Sequence, residues 1–130
     1  MGVPVRRGAS RVILPVVEAS IEGSEKEGTI TYYRVRVRFD AKAAKSRRVA
    51  EEADVMRRFS QFRDLHHELS LGSRADLPPL PPGGVRRFFA RHRASTVSER
   101  IQAFSTLLHA IVNDVNLRNA PAFRQFCAPP

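Results

Sequence analysis

Tryptophan is absent from this 130-residue chain, cysteine occurs once, and tyrosine and methionine occur twice each. The lone cysteine, Cys127, has no partner. That excludes an internal disulfide framework and cysteine-rich zinc sites, and it is consistent with a reducing compartment. Long apolar runs are missing as well. The longest near the start, Val12 to Val17, is broken by Pro15 and ends at Glu18. It is too short for a secretory core and far short of the ~20 residues a membrane helix needs. Arg6 stands where a myristoylation signal wants Ser or Thr. No built-in anchor is expected, so any membrane contact should be peripheral and reversible.

Acidic residues are in short supply. Asp and Glu total 13 against 22 Lys and Arg, a net charge of +9. The excess points to a polyanionic partner: nucleic acid, an anionic membrane or an acidic protein. Composition alone does not choose among them. The length fits one domain, since domains run to about 100–200 residues.

What is present begins with a loose arm, residues 1–10, followed by an extended apolar stretch from Arg11 to Ile21. This stretch is expected to form a first strand, with Pro15 at an edge or bulge. Gly23 to Gly28 supplies turn chemistry. In Thr29 to Phe39, Tyr33, Val35, Val37 and Phe39 alternate with Tyr32, Arg34, Arg36 and Arg38, the period of two of a half-buried strand. Arg34, Arg36 and Arg38 are read as a solvated face of that strand. Asp40 to Asp54 suggests a loop running into a third strand that ends near Arg58, with a short helix as the alternative for its Ala/Glu-rich part.

Helix signals dominate the second half. Ser60 is placed to cap a helix through Ser70, with Phe62, Leu65 and Leu69 on one face and Gly72-Ser73 as the stop. Leu77 to Pro82 (LPPLPP) is unsuited to helix or central strand and favours polyproline II. Val85 to Arg93 suggests a short basic helix. Thr96 and Glu99 form a capping box for a helix carrying Val97, Ile101, Phe104, Leu108, Ile111 and Val115 at helical spacing. A last short helix, Pro121 to Phe126, should dock Phe123 and Phe126. Strands followed by helices imply an α+β fold, a small antiparallel sheet packed against a helical half.

Catalytic signatures are scarce. His66 and His67 are adjacent on a helix and point to different sides, unlike the i, i+4 pair of a zinc helix. His92 and His109 stand apart from them, and no phosphate-cradling glycine loop or nucleophile elbow is present. A non-catalytic chain without cofactor or metal is expected.

Three features in order are more informative. Arg57-Arg58-Phe59-Ser60-Gln61-Phe62 spans the third-strand-to-helix junction, Leu77–Pro82 follows that helix, and Glu99-Arg100 opens the amphipathic helix that leads to Phe123-x-x-Phe126. This ordered trio resembles the phox-homology (PX) family found in sorting nexins and phagocyte-oxidase subunits. The resemblance runs from about Arg11 to Cys127, leaving residues 128–130 as the start of a Pro-rich tail or linker. It implies a three-stranded antiparallel sheet, a helical subdomain with a polyproline loop, and a phosphoinositide pocket between them. The lipid expected is most often phosphatidylinositol 3-phosphate, which would place the protein on endosomal membranes from the cytoplasmic side.

Carried over by position, Arg58 matches the arginine that binds the 3-phosphate. Phe59 matches the aromatic, usually Tyr, on which the inositol ring rests, and Arg100 matches the arginine on the 4- and 5-hydroxyls. A guanidinium fork meets two phosphate oxygens at once, which a lysine does not. Gly83 stands where the family often has the lysine for the 1-phosphate, and Arg86 or Arg87 is expected to reach back across the pliable Gly83-Gly84 pair. Val85, Phe88 and Phe89 match the segment that family members push into the bilayer, with one Phe expected inside the domain and one outside. Arg57 is read as structural, pairing with an acidic neighbour.

Two other classes compete. A nucleic-acid-binding domain would suit the charge, but RNP-type aromatics, zinc-finger spacing and a basic zipper are lacking. A protein-interaction module would offer LPPLPP to a Src-homology-3 groove. Arg74, however, lies one residue too far from the prolines for the common register, and Asp76 intervenes.

Overall fold

The computed structural model describes residues 13–72, 76–82 and 95–129. The chain opens with β1, Val16–Glu27, and β2, Ile30–Phe39, an antiparallel hairpin. Gly28 and Thr29 connect them, and only Gly28 has positive φ, 63°. Positive φ at the first loop residue alone is what a type II′ hairpin turn requires. β1 therefore starts later and runs farther than the sequence suggests. Pro15 precedes it, with its carbonyl accepting from the Asp40 N–H at 2.9 Å. The expected turn at Gly23–Gly28 is mostly strand, because Gly23 (φ 154°) is absorbed at a register shift between Ile21 and Gly23.

The alternation in β2 holds. Tyr33, Val35 and Val37 are fully buried and Phe39 nearly so. After β2 the chain forms α1, Ala41–Arg47, where a loop was the preferred expectation. Asp40 explains the difference: its carboxylate accepts from Ala43 N–H at 3.0 Å and caps a run of good helix formers. The helix ends at Arg48, held left-handed at φ 57°. Next, β3, Glu52–Arg58, pairs antiparallel with β2, giving the sheet order β1-β2-β3.

β3 runs directly into α2, Phe59–Gly72. Because no residue separates them, Ser60 lies inside the helix rather than capping it. Gln61 takes part of the capping role, its side-chain oxygen accepting from Arg58 N–H at 2.9 Å. Residues 76–82 lie outside helix and strand, but Leu77 and Leu80 pack half-buried against the core. α3, Val97–Val112, begins with the expected capping box between Thr96 and Glu99.

α3 is shorter than its apolar spacing suggests. Asp114 accepts from Asn116 and Leu117 N–H groups and starts a separate turn, α4, Val115–Arg118. Val115 is consequently exposed, as is Val97, while Leu107 joins Phe104, Leu108 and Ile111 inside. The last helix, α5, is Pro121–Cys127, with Phe123 and Phe126 docked inward.

Aromatic rings join the sheet to the helices. Phe62 of α2 stacks on Phe104 of α3 with centroids 3.9 Å apart, and Tyr33 of β2 meets Phe104 edge-on at 5.0 Å. Phe126 of α5 closes the group against Phe62 at 5.0 Å. Truncating such a ring typically costs about 3–5 kcal/mol. Cys127 is buried beside this cluster, and desolvation pushes its thiol up to about 12 despite the nearby positive charge of Arg57. It is an inert packing group rather than a nucleophile.

Candidate functional site

The β3–α2 junction sends neighbouring arginines to opposite destinations. Strand alternation puts Arg57 on the face of its cross-strand partner Tyr33, toward the core, and Arg58 on the face of Tyr32. Arg57 is half-buried and structural, as expected, but its bonds reach the far end of the chain. Its Nε donates to the Phe126 carbonyl at 2.8 Å, Nη2 to the Ala128 carbonyl at 3.0 Å and Nη1 to the Met56 carbonyl at 2.8 Å. Its guanidinium carbon also lies 5.6 Å from the Phe126 ring centroid. Arg58 is exposed, and among the described residues no carboxylate pairs with it.

Phe59 and Arg100 come together, although 41 positions separate them in the sequence. Phe59 is the first residue of α2 and sits half-buried, its ring meeting Phe104 at 5.7 Å. Arg100 lies in the first turn of α3 with its guanidinium carbon 4.5 Å from the Phe59 centroid, a cation–π contact. Arg100 Nε donates to Ser95 Oγ at 2.7 Å, and Ser95 Oγ donates to the Pro82 carbonyl at 2.7 Å. The proline segment is held at a second point by His66, whose Nε2 lies 3.0 Å from the Pro78 carbonyl. A carbonyl only accepts, so that nitrogen carries the proton. The sequence offered no direct signal for Ser95 or His66, because both act on carbonyls of a distant segment.

The three positively charged residues of β2 behave differently. Arg34 pairs with Glu25 at 2.9 Å, Arg36 with Asp54 at 2.9 Å and Glu52 at 3.8 Å, and Arg38 with Glu18 at 2.9 Å. The face is solvated, as expected, yet its charge is cancelled by partners on β1 and β3. The Asp54 hydrogen bond and charge raise the Arg36 pKa further. Two grooves, about 580 and 570 Å³, run between α2 and α5, the first reaching α4 and the second Arg57 of β3, and share Glu68, Pro121 and Ala122 as lining. Neither is lined by Phe59 or Arg100; Glu68 gives both a carboxylate, and the second adds Asp64. Gly83, Val85, Arg86, Arg87, Phe88 and Phe89 lie outside the described residues, as do the expected basic helix and the 1–10 arm. No three His, Cys, Asp or Glu side chains converge on a metal-binding geometry among the described residues.

A family model for the PX domain matches residues 45–130. The chain belongs to the PX domain family. It is also 31% identical over 102 residues to sorting nexin-15 from Bos taurus, an alignment covering 74% of this chain and 28% of that protein. The chain thus spans little more than a quarter of its relative. Its three-stranded antiparallel sheet followed by helices is the architecture expected of a PX domain. At family level the PX domain is a phosphoinositide-binding, membrane-targeting module rather than a catalyst. No helix among the described residues is long and apolar enough to cross a membrane.

Proposed function

We propose that this PX domain grips the headgroup of a phosphatidylinositol phosphate, phosphatidylinositol 3-phosphate first, and so carries its protein to endosomal membranes. The observation that carries this reading is that Arg58, next to Phe59 in the chain, and Arg100, over the Phe59 ring, are unpaired with any carboxylate among the described residues. In this reading the Arg58 fork takes two oxygens of the 3-phosphate, and Arg100 donates to the 4- and 5-hydroxyls. Phe59 supplies a flat apolar wall, part of which Arg100 already covers. Each charge-assisted bond contributes about 1.5–3 kcal/mol net.

Arg86 and Arg87 are the proposed donors to the 1-phosphate in place of the family lysine. Val85, Phe88 and Phe89 form the proposed bilayer contact, where one buried Phe adds roughly 1.5–3 kcal/mol and each nearby basic residue about 1 kcal/mol.

The docking of residues 76–82 favours a wall of the lipid pocket over a free Src-homology-3 ligand. Leu77 and Leu80 face the core, and the Pro78 and Pro82 carbonyls are already engaged. A nucleic-acid reading is weakened by the neutralised strand face. Liposome sedimentation across a panel of monophosphoinositides, repeated with Arg58→Ala, tests the proposal. Selective binding to the 3-phosphate lipid that disappears in the variant is expected; binding indifferent to both lipid and variant would sink it.

A further inference from the structure

Two independent contacts fix the Arg100 guanidinium, and only one of them involves the aromatic wall. The cation–π contact with Phe59 at 4.5 Å holds the group over the ring but leaves it free to rotate there. The hydrogen bond from Nε to Ser95 Oγ, 2.7 Å, removes that rotation. A guanidinium has five N–H donors. With Nε engaged, the two Nη groups have no hydrogen-bond partner among the described residues, and one N–H of each lies on the end of the fork opposite Cδ. Ser95 is itself held, because its only hydroxyl proton goes to the Pro82 carbonyl at 2.7 Å. A hydroxyl both accepts and donates, so this single oxygen connects the α3 start to the end of the proline segment.

We propose that Ser95 is a positioning residue for anion recognition, resting on the lipid reading above: it orients Arg100 and ties the proline wall to it. It need not touch the headgroup. Without its hydroxyl, Arg100 Nε seeks water, and the guanidinium samples other rotations over Phe59. Ordering a loosened long side chain on binding costs about 0.5–1.5 kcal/mol, which corresponds to roughly a two- to twelvefold loss of affinity. Thr96 and Glu99 make the helix cap without Ser95, so the fold should survive the change.

The test uses the chain itself with Ser95→Ala, Ser95→Thr, Arg100→Ala and the Ser95→Ala/Arg100→Ala pair. Binding is read on phosphatidylcholine vesicles carrying phosphatidylinositol 3-phosphate, and the Arg Nε–H resonances are read by NMR without lipid. Ser95→Ala should weaken vesicle binding about two- to twelvefold, Ser95→Thr should restore it, and Ser95→Ala should add nothing once Arg100 is gone. The Arg100 Nε–H resonance should shift in Ser95→Ala and return in Ser95→Thr.

Wild-type binding in Ser95→Ala, alongside weakened Arg100→Ala, overturns the positioning role and leaves the lipid reading standing. An equal loss when Ser95→Ala is added to Arg100→Ala overturns it too, since the effect then bypasses Arg100. An unmoved Nε–H signal removes its structural basis. A wild-type chain that ignores the phosphoinositide overturns the lipid reading and this role together.

Discussion

The arginines of β2 and those around Phe59 are the same residue in opposite circumstances. On β2, each guanidinium faces a carboxylate delivered by the neighbouring strand, and the pairs repeat along the sheet. Around Phe59, Arg58 projects from the end of β3 and Arg100 stacks on the ring, with no carboxylate paired to either among the described residues. A net charge of +9 does not distinguish the two groups. What separates them is whether the counter-charge is built in, because an arginine already satisfied by Asp or Glu gains little by exchanging it for a phosphate. Arg57 makes a third class, spending its donors on the carbonyls of the C-terminal residues.

The largest effect should come from Arg58→Ala. With two charge-assisted bonds at about 1.5–3 kcal/mol each, affinity for phosphatidylinositol 3-phosphate vesicles should fall 100-fold or more. The corresponding change on the sheet, Arg36→Ala, should leave vesicle binding unaltered; a comparable loss there would erase the distinction between the two groups.

Next in size is Arg57→Ala, expected to lower folding stability by about 2–3 kcal/mol in urea denaturation, because it strands buried carbonyls. The same change loosens the cover over Cys127, so labelling by a thiol reagent should accelerate well beyond the wild-type rate. Burial raises this thiol from 9.0 to about 12, so its contribution to stability is complete below pH 9 and is lost as pH rises toward 12. Cys127→Ala should flatten that alkaline decline.

Arg58→Lys separates fork from charge. A lysine keeps the positive charge but gives up the bidentate geometry, and about a tenfold weakening is expected in the same vesicle assay. The smallest effect belongs to Asp54→Asn. Releasing Arg36 from its main partner should leave thermal stability nearly unchanged, since surface pairs contribute little. It should add only a slight, salt-sensitive attraction to anionic vesicles of any composition. A gain specific to phosphoinositide would mean that the strand face is a latent second site.

How much was legible depended on the distance over which a residue acts. The β2 alternation, the Thr96–Glu99 capping box and the Phe123/Phe126 pair act over a few positions, and each is found as the sequence indicates. Errors clustered where a nearby side chain diverts the backbone. Asp40 converts a loop into α1, Asp114 cuts α3 short of Val115, and the Gly28–Thr29 turn carries β1 past Gly23. These are capping and turn effects that compete with hydrophobic period on nearly equal terms. The partners of Ser95, His66 and Arg57 were illegible because they are carbonyl oxygens, which every residue possesses and no sequence letter marks; Arg57 was legible only as a structural residue, with an acidic partner expected.

The sequence by itself determined that three strands come before the long helices, the buried face of β2 and the set of residues available to meet an anion. Those follow from periodicity and residue chemistry, which are local. Only the tertiary structure decided which arginines are paired with a carboxylate and which are not. Pairing in space brought Glu18, Glu25 and Asp54 to the β2 arginines and placed Arg100 against Phe59 with Ser95 at its Nε. Charge counts are additive along a chain, whereas charge availability is set by neighbours that only folding supplies.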